Sequence, residues 1–366
     1  MKKWIAASAA LTAGAVVVAR ASTRRDAALE EVFSDNDFQI TGVTVSPDGR
    51  IFVNYPRWSD LYLNAVVEVL PGGIAQPYPD SEWNGWDRKP HTAADHFVCV
   101  QSVVADDEGS LWVLDPAAPM LTSPVPHGPK LVQIDLASNQ VSQVIRFGPD
   151  VIRDDSYLND VRIDRRTGTG YITDSGAGGI VVVDLATGRA RRTLDGHPSV
   201  MAQDGVQVVI EGKPVLDAQG QPPKFNSDGI ALSTDGAWLY YQPITATSLF
   251  RIRTEVLRDT TASPEAIGAA VERYASTFPV DGLWIDAKDR IYLSDITHTA
   301  VSRLLPDRTI ERLVVDRRLQ WPDTFSEGPD GAIYVTASHI NHSATFNRGK
   351  SVRKRPYGVF RFMPPS

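Results

Sequence analysis

Residues 280–295, VDGLWIDAKDRIYLSD, hold two strand-like runs joined by a tight polar turn. Asp281 opens the apolar segment Gly282-Leu283-Trp284-Ile285, Asp286 to Arg290 form the turn, and Ile291-Tyr292-Leu293-Ser294 ends on Asp295. That pattern is an antiparallel hairpin. It recurs as ITGVTVSPDGRIFVN (40–54), VQSVVADDEGSLWVLD (100–115), LNDVRIDRRTGTGYITD (158–174), SDGIALSTDGAWLYYQ (227–242) and WPDTFSEGPDGAIYVTA (321–337), six copies in all. The opening position holds Thr41, Gln101, Asn159, Asp228, Asp281 and Asp323, at successive separations of 60, 58, 69, 53 and 42 residues. Self-similarity at such a period marks a repeat array, either a solenoid or a closed propeller.

Each hairpin is followed by two more strand-like runs, such as KLVQIDL and VSQVIRF after Asp115, or GIVVVDL and RARRTL after Asp174. Four antiparallel strands per unit make a propeller blade. After Gln242 the run 248–257, SLFRIRTEVL, reads as one strand, and AVERYAS (270–276) follows a Pro264-containing insertion. The last unit offers only three strands, its hairpin and YGVFRFM (357–363). LEEVFSD (29–35) supplies an outer strand of matching length from the opposite terminus. The expected fold is therefore all-β, a six-bladed propeller of four-stranded antiparallel blades closed by an N-terminal strand in the last blade.

Bulk properties narrow the function. The 366 residues are 42% hydrophobic and 22% charged, ordinary values for a globular chain. Lys2 and Lys3 precede an apolar run from Trp4 to Ala19, and Ala19-Arg20-Ala21 is an A-x-A cleavage site. Residues 1–21 thus read as a cleavable signal peptide and 22–366 as a single domain, secreted or periplasmic, with no membrane attachment after cleavage. Cleavage takes the formal charge from −7 to −10. An acidic chain whose basic residues cluster only at Arg348, Lys350, Arg353, Lys354 and Arg355 is a poor nucleic-acid binder. One cysteine, Cys99, allows no intrachain disulfide, which suits bacterial export, and its apolar neighbours mark it as a buried small hydrophobe.

Strand direction sorts the loops. The first strand of each blade runs from the opening residue to the DG-type turn, and the second returns. The six opening residues, the loops after each second strand, and the insertions 80–99 and 195–226 therefore share one face. The SPDG, STDG and GPDG turns lie on the other, as ordinary hairpin chemistry. The opening residues converge on one axis, so Asn159, Asp228, Asp281 and Asp323 become neighbours. Converging carboxylates repel and need a cation, a shared proton or a donor network. Ca²⁺ or another hard divalent ion, held by Asn159, Asp228 and Asp281, is one answer, and a protonated amine is another.

Asp281 and Asp228 are the candidate catalytic groups. Asn159, Gln101, Asp323, Trp321, His298 and His339 are the candidate ligand-binding residues, with Phe225 beside them as a stacking surface. Asp115, Asp174 and Asp295, at second-strand ends, read as turn caps. No nucleophile elbow, HExxH, P-loop or CxxC occurs, and Gly176-Ala177-Gly178-Gly179 precedes no helix that would make it a dinucleotide loop.

VQSVVADDEGSLWVLD, LVQIDLASNQVSQVIRF with SYLNDVRID, YITDSGAGGIVVVDLATG and SDGIALSTDGAWLYYQPITATSLFRIRTEVLRD together resemble the yellow/major royal jelly protein family. The likeness extends from about residue 29 to the C-terminus. It implies an exported six-bladed propeller with a small-molecule site at one tunnel mouth, in a family with dopachrome-converting members and members that bind biogenic amines or lipids. The disulfides of insect members are missing here. A more distant likeness is to the gluconolactonase/senescence marker protein family, in which Asn159, Asp228 and Asp281 match metal or substrate positions. Thr41 stands where those lactonases carry Glu. The resulting expectation is an exported small-molecule binder, with dopachrome-tautomerase-like activity as its enzymatic form. A metal-dependent lactone or ester hydrolase and a non-catalytic scaffold are the alternatives.

Overall fold

A computed structural model describes residues 27–354 and 356–365, so the signal-peptide reading and Arg355 lie outside the described residues. Six four-stranded antiparallel sheets form six blades. Blade 1 contains Gly42–Val45, Ile51–Asn54, Val66–Leu70 and Ile74–Pro77. Blade 2 contains Ser102–Ala105, Ser110–Asp115, Lys130–Asp135 and Gln140–Arg146, and blade 3 contains Leu158–Asp164, Thr169–Asp174, Ile180–Asp184 and Ala190–Thr193. Blade 4 is built from Ser227–Leu232, Trp238–Pro243, Ser248–Arg253 and Glu272–Ser276, and blade 5 from Val280–Ile285, Ile291–Asp295, Ala300–Leu304 and Ile310–Val315. Blade 6 combines Pro322–Glu327, Ile333–Ala337 and Tyr357–Phe362 with the N-terminal Glu30–Asp35 as its outer strand.

Period-2 alternation explains the stacking. In the second strand of blade 2, Leu111 and Val113 join a buried cluster with Phe52 and Val66 of blade 1. Trp112 and Leu114, between them in sequence, join one with Ile172 and Val181 of blade 3. A strand whose two faces both meet apolar neighbours must be apolar throughout. Similar clusters fill every other interface round the ring, ending with Phe33 and Val359 of blade 6 against Val43 and Val53 of blade 1. The core is thus a ring of six slabs, and closure completes the sixth.

Blade 4 departs from expectation. Residues 254–257 are not strand, because the chain turns at Arg253 into the short helix Thr254–Arg258, then Pro264–Ala269, before Glu272–Ser276. Ser263 caps the second helix through the Ala266 amide, and Pro264 sits in its first turn, where its missing N–H costs nothing. Val256 packs against the cluster between blades 3 and 4, and Leu257 and Ile267 are buried in it.

The insertion 195–226 carries a small hairpin, Val209–Ile210 with Lys213–Pro214. The insertion 80–99 packs Trp86 with Val98, Cys99 and Ala117. Cys99 is fully buried, which pushes its thiol up to about 12. The second-strand aspartates do cap loops. Asp115 accepts from the amides of Val98, Cys99 and Ala117 and pairs with the fully buried Lys130 Nζ at 2.9 Å. Asp174 accepts from the amides of Tyr157, Gly176 and Ala177 and pairs with Arg192 at 2.7 Å.

Gly229 and Gly282 follow opening aspartates and are packing glycines, not turn glycines. A Cβ on Gly282 would lie 1.8 Å from the Asp323 carbonyl oxygen of blade 6, and one on Gly229 2.3 Å from that of Asp281. The innermost strands approach too closely for any side chain there. Gly282→Ala is expected to cost about 3 kcal/mol or more, since the rigid backbone of blade 6 fills the space. An unchanged midpoint in urea unfolding would show that the strands are not so close.

Candidate functional site

The opening residues of blades 3 to 6 sit at register shifts, between Leu158 and Val161, Ser227 and Gly229, Val280 and Leu283, and Pro322 and Phe325. A bulge re-aims a side chain and leaves backbone groups needing partners. Hydroxyls of the second strands supply those partners in three blades. Ser294 Oγ accepts from the amides of Asp281 and Gly282 at 2.9 and 2.8 Å, Thr336 Oγ1 from Thr324, and Thr173 Oγ1 from Asp160. The Ser and Thr in YLSD, YVTA and YITD therefore hold the bulges that point the opening acids inward.

The acids are buried and form a network. Asn159 Nδ2 donates to Asp228 Oδ2 at 2.5 Å and to Ser175 Oγ at 3.0 Å. Trp321 Nε1 donates to Asp281 Oδ2 at 2.5 Å. Asp228 is pushed well above the usual carboxyl range, first by burial and then by the Asp281 charge, and it hydrogen-bonds to Asp281. Asp281 is raised to about 6 by burial, against which the hydrogen bonds from Trp321 and Asp228 act. Asp228 thus keeps a proton and donates it to Asp281, so the pair carries one negative charge near neutral pH. Asp323 is also raised by burial and the Asp281 charge. Its Oδ2 is buried without a partner.

Above the pair lies a cavity of about 760 Å³. Its polar wall includes Gln101, Asn159, Asp228, Asp281, Asp37, Asp154 and Asp155, with Lys224 the one lysine or arginine lining it among the described residues. Aromatic side chains form much of the rest: Phe38, Tyr55, Trp58, Tyr62, Tyr157, Phe225, Trp321, Phe346 and Tyr357. Trp58 Nε1 donates to Tyr157 Oη at 2.8 Å, and Tyr157 Oη donates to Gln101 Oε1 at 2.9 Å, which locks one wall. Phe225 stands edge-on to Trp321 and to Phe346.

The sequence candidates divide accordingly. Asn159, Gln101, Asp228, Asp281, Trp321 and Phe225 share the cavity, whereas Asp323, His298 and His339 are not among its lining residues. His298 Nδ1 sits 2.8 Å from Asp295 Oδ1, with its ring edge-on to Phe278. His339 is buried beside His342 and Tyr357, and burial together with His342 and Arg353 pushes it down to about 4. Thr41 Oγ1 accepts from Asn54 Nδ2 at 2.9 Å. Lys224 and Phe225 bring the end of the 195–226 insertion to the cavity. The 80–99 insertion lies behind the wall, where Trp86 backs Trp58 and Arg57.

Sequence reasoning missed Tyr55, Trp58, Tyr62, Tyr157 and the 343–346 segment. Position relative to the blade ends was a usable signal for Tyr157, two residues before Asn159. Among the described residues no group of three or more His, Cys, Asp or Glu side chains is arranged to hold a metal ion.

Below the pair lies a second buried polar group, the Asp160–Arg162 ion pair. Asp160 Oδ1 accepts from Ser102 Oγ at 2.7 Å and from Arg162 Nη1 at 2.9 Å. Arg162 Nη2 reaches the Leu283 carbonyl of blade 5 at 2.8 Å, passing over blade 4. This guanidinium joins the first strands of blades 3 and 5 across the inner edge of blade 4.

Fold and cavity together define a six-bladed propeller whose tunnel opens into an acidic, aromatic chamber on one face. The chain belongs to the major royal jelly protein family, whose model matches residues 98–337. A search of curated proteins found no match. Solved structures with the same fold include a gluconolactonase from Xanthomonas campestris, 13% identical, covering 93% of this chain and 90% of that one at TM-score 0.55. A streptogramin B lyase is 13% identical, with 92% and 97% covered and TM-score 0.53. A luciferin-regenerating enzyme is 10% identical, with 92% and 94% covered and TM-score 0.53. At these identities the likeness is one of fold.

Proposed function

We propose that the chain is an exported binder of small organic cations, taking a protonated amine with an aromatic or apolar body into the 760 Å³ cavity. The Asp228–Asp281 pair carries this reading. It is a buried anion that sits at the wall of an aromatic chamber and, among the described residues, has no lysine or arginine as a hydrogen-bond partner. An ammonium placed against Asp281 gains a charge-assisted hydrogen bond in a poorly screened site, and the aromatic faces attract it further. Family membership supports small-molecule binding at this mouth. The enzymatic form of the same reading is a tautomerase-like proton transfer, with Asp281 as base and Asp228 as proton donor.

A metal-dependent lactonase reading has less support. The position that would need a further anionic ligand holds Thr41, whose hydroxyl is engaged by Asn54. Hard-cation affinity depends on ligand charge, and Thr41 contributes none.

Calorimetry separates these readings. Phenethylammonium is expected to bind with sub-millimolar affinity, and Asp281→Ala to weaken it at least about tenfold, the loss of one charge-assisted hydrogen bond. Neutral 2-phenylethanol should bind much more weakly. Tight Ca²⁺ binding that disappears in Asp281→Ala, with no amine binding, would establish the metal reading instead.

A further inference from the structure

Gln101 opens blade 2 and lines the large cavity, with 5% of its surface exposed. The hydrogen-bond chain behind it sets its amide. Trp58 Nε1 can only donate, so Tyr157 Oη accepts there and gives its own proton to Gln101 Oε1 at 2.9 Å. That bond turns the amide oxygen toward Tyr157 and leaves Nε2 with two N–H groups to place. Neither finds a partner among the described residues, and Nε2 is not sealed from solvent, so the cavity is where a partner can reach it. Its ring neighbours are occupied elsewhere: Thr41 accepts from Asn54, and Asn159 donates to Asp228 and Ser175.

Ring order places this donor. Gln101 opens blade 2 and Asp281 opens blade 5, three places further round, so the two stand on opposite sides of the axis at the same mouth. Trp58, Tyr157, Phe225 and Trp321 line the same space with aromatic surface. A group entering it displaces water from Gln101, and loses affinity unless it replaces the hydrogen bond. The chamber therefore suits a body that is cationic at one end, apolar in the middle and an acceptor at the other end.

We infer that the ligand of this cavity carries, at the end away from its ammonium, an uncharged acceptor oxygen of the carbonyl kind that takes a hydrogen bond from Gln101 Nε2. The inference rests on the amine reading of the same site and narrows its ligand class: Asp281 selects the charge and Gln101 selects the polar end. Gln101 is thus a specificity-determining residue, because a site with a donor held in place rejects an analogue that lacks the acceptor.

The test is calorimetry with 4-acetylphenethylammonium and 4-isopropylphenethylammonium, which share a shape and a charge and differ in the oxygen. Burial alone favours the isopropyl compound, the more apolar of the two. Wild type is instead expected to bind the acetyl compound at least about threefold more tightly. Gln101→Met, which keeps the length of the side chain and removes the donor, should shift the ratio at least about tenfold toward the isopropyl compound. A wild-type preference for the isopropyl compound, or an acetyl preference that survives in folded Gln101→Met, would overturn the inference and leave the amine reading standing. Water would then be the partner of Nε2. If Gln101→Met fails to fold, the wild-type pair decides. If neither ammonium binds, the amine reading fails, and 4-ethylacetophenone, which keeps the carbonyl without the charge, decides the role of Gln101. Its binding by wild type and loss in folded Gln101→Met would support that role, and no binding would overturn it.

Discussion

A chain lacking everything before Asp37 is expected to lose cooperative unfolding or to melt far below wild type. The deleted strand Glu30–Asp35 pairs with Tyr357–Phe362 from Glu30↔Arg361 to Asp35↔Tyr357. Its loss leaves the backbone of Tyr357–Phe362 unpaired along one edge. It also removes Phe33 from the slab between blades 6 and 1, and Ala27 and Leu29 from the slab between blades 5 and 6. Deleting one buried Phe side chain costs about 3–5 kcal/mol. Domains are stable by only about 5–15 kcal/mol in all. An unpaired apolar edge also invites association between chains. Circular dichroism melting with light scattering reads both effects. A truncated chain that stays monomeric and melts as wild type would mean that the ring does not depend on this strand.

Asp281→Asn should act in opposite directions on binding and on stability. Asp281 is raised from 3.8 to about 6, so the folded chain holds a proton that the unfolded chain releases. The sign follows from linkage: a raised carboxyl favours folding at low pH and loses that contribution as pH rises from about 4 to about 6. Above that window the buried charge costs the fold about 3 kcal/mol. Asn retains an oxygen to accept from Trp321 Nε1 and carries no charge. The variant should therefore be more stable than wild type by about 1–3 kcal/mol at pH 7.5, with the difference shrinking toward pH 4. Chemical denaturation of both proteins across pH 4–8 measures the difference directly. A variant less stable at pH 7.5, or an offset independent of pH, would show that burial does not raise Asp281.

The sequence by itself determined the ring. Alternating apolar residues with turn residues between them define strands locally, and the six-fold recurrence of that pattern defines blades. The three-strand last unit required LEEVFSD for closure, and strand direction put Thr41, Gln101, Asn159, Asp228, Asp281 and Asp323 around one axis. Each of these follows from periodicity and chain direction, which depend on near neighbours only. What the tertiary structure decided depends on distances between blades. Residues 254–257 form a helix because the slab between blades 3 and 4 accepts Val256 and Leu257 there. Gly229 and Gly282 are required by carbonyls of the next blade, which no pattern within their own hairpins shows. Asp228 and Asp281, some fifty residues apart in the chain, share a proton because their blades are adjacent and the site is buried. His298 is held by Asp295 away from the cavity, whereas Tyr157, Trp58 and Tyr62 form its wall through loop paths that no local pattern encodes. Arg162 looks like an ordinary strand residue in LNDVRID. Only the closed ring, which sets blade 5 two places on from blade 3, lets it join their first strands.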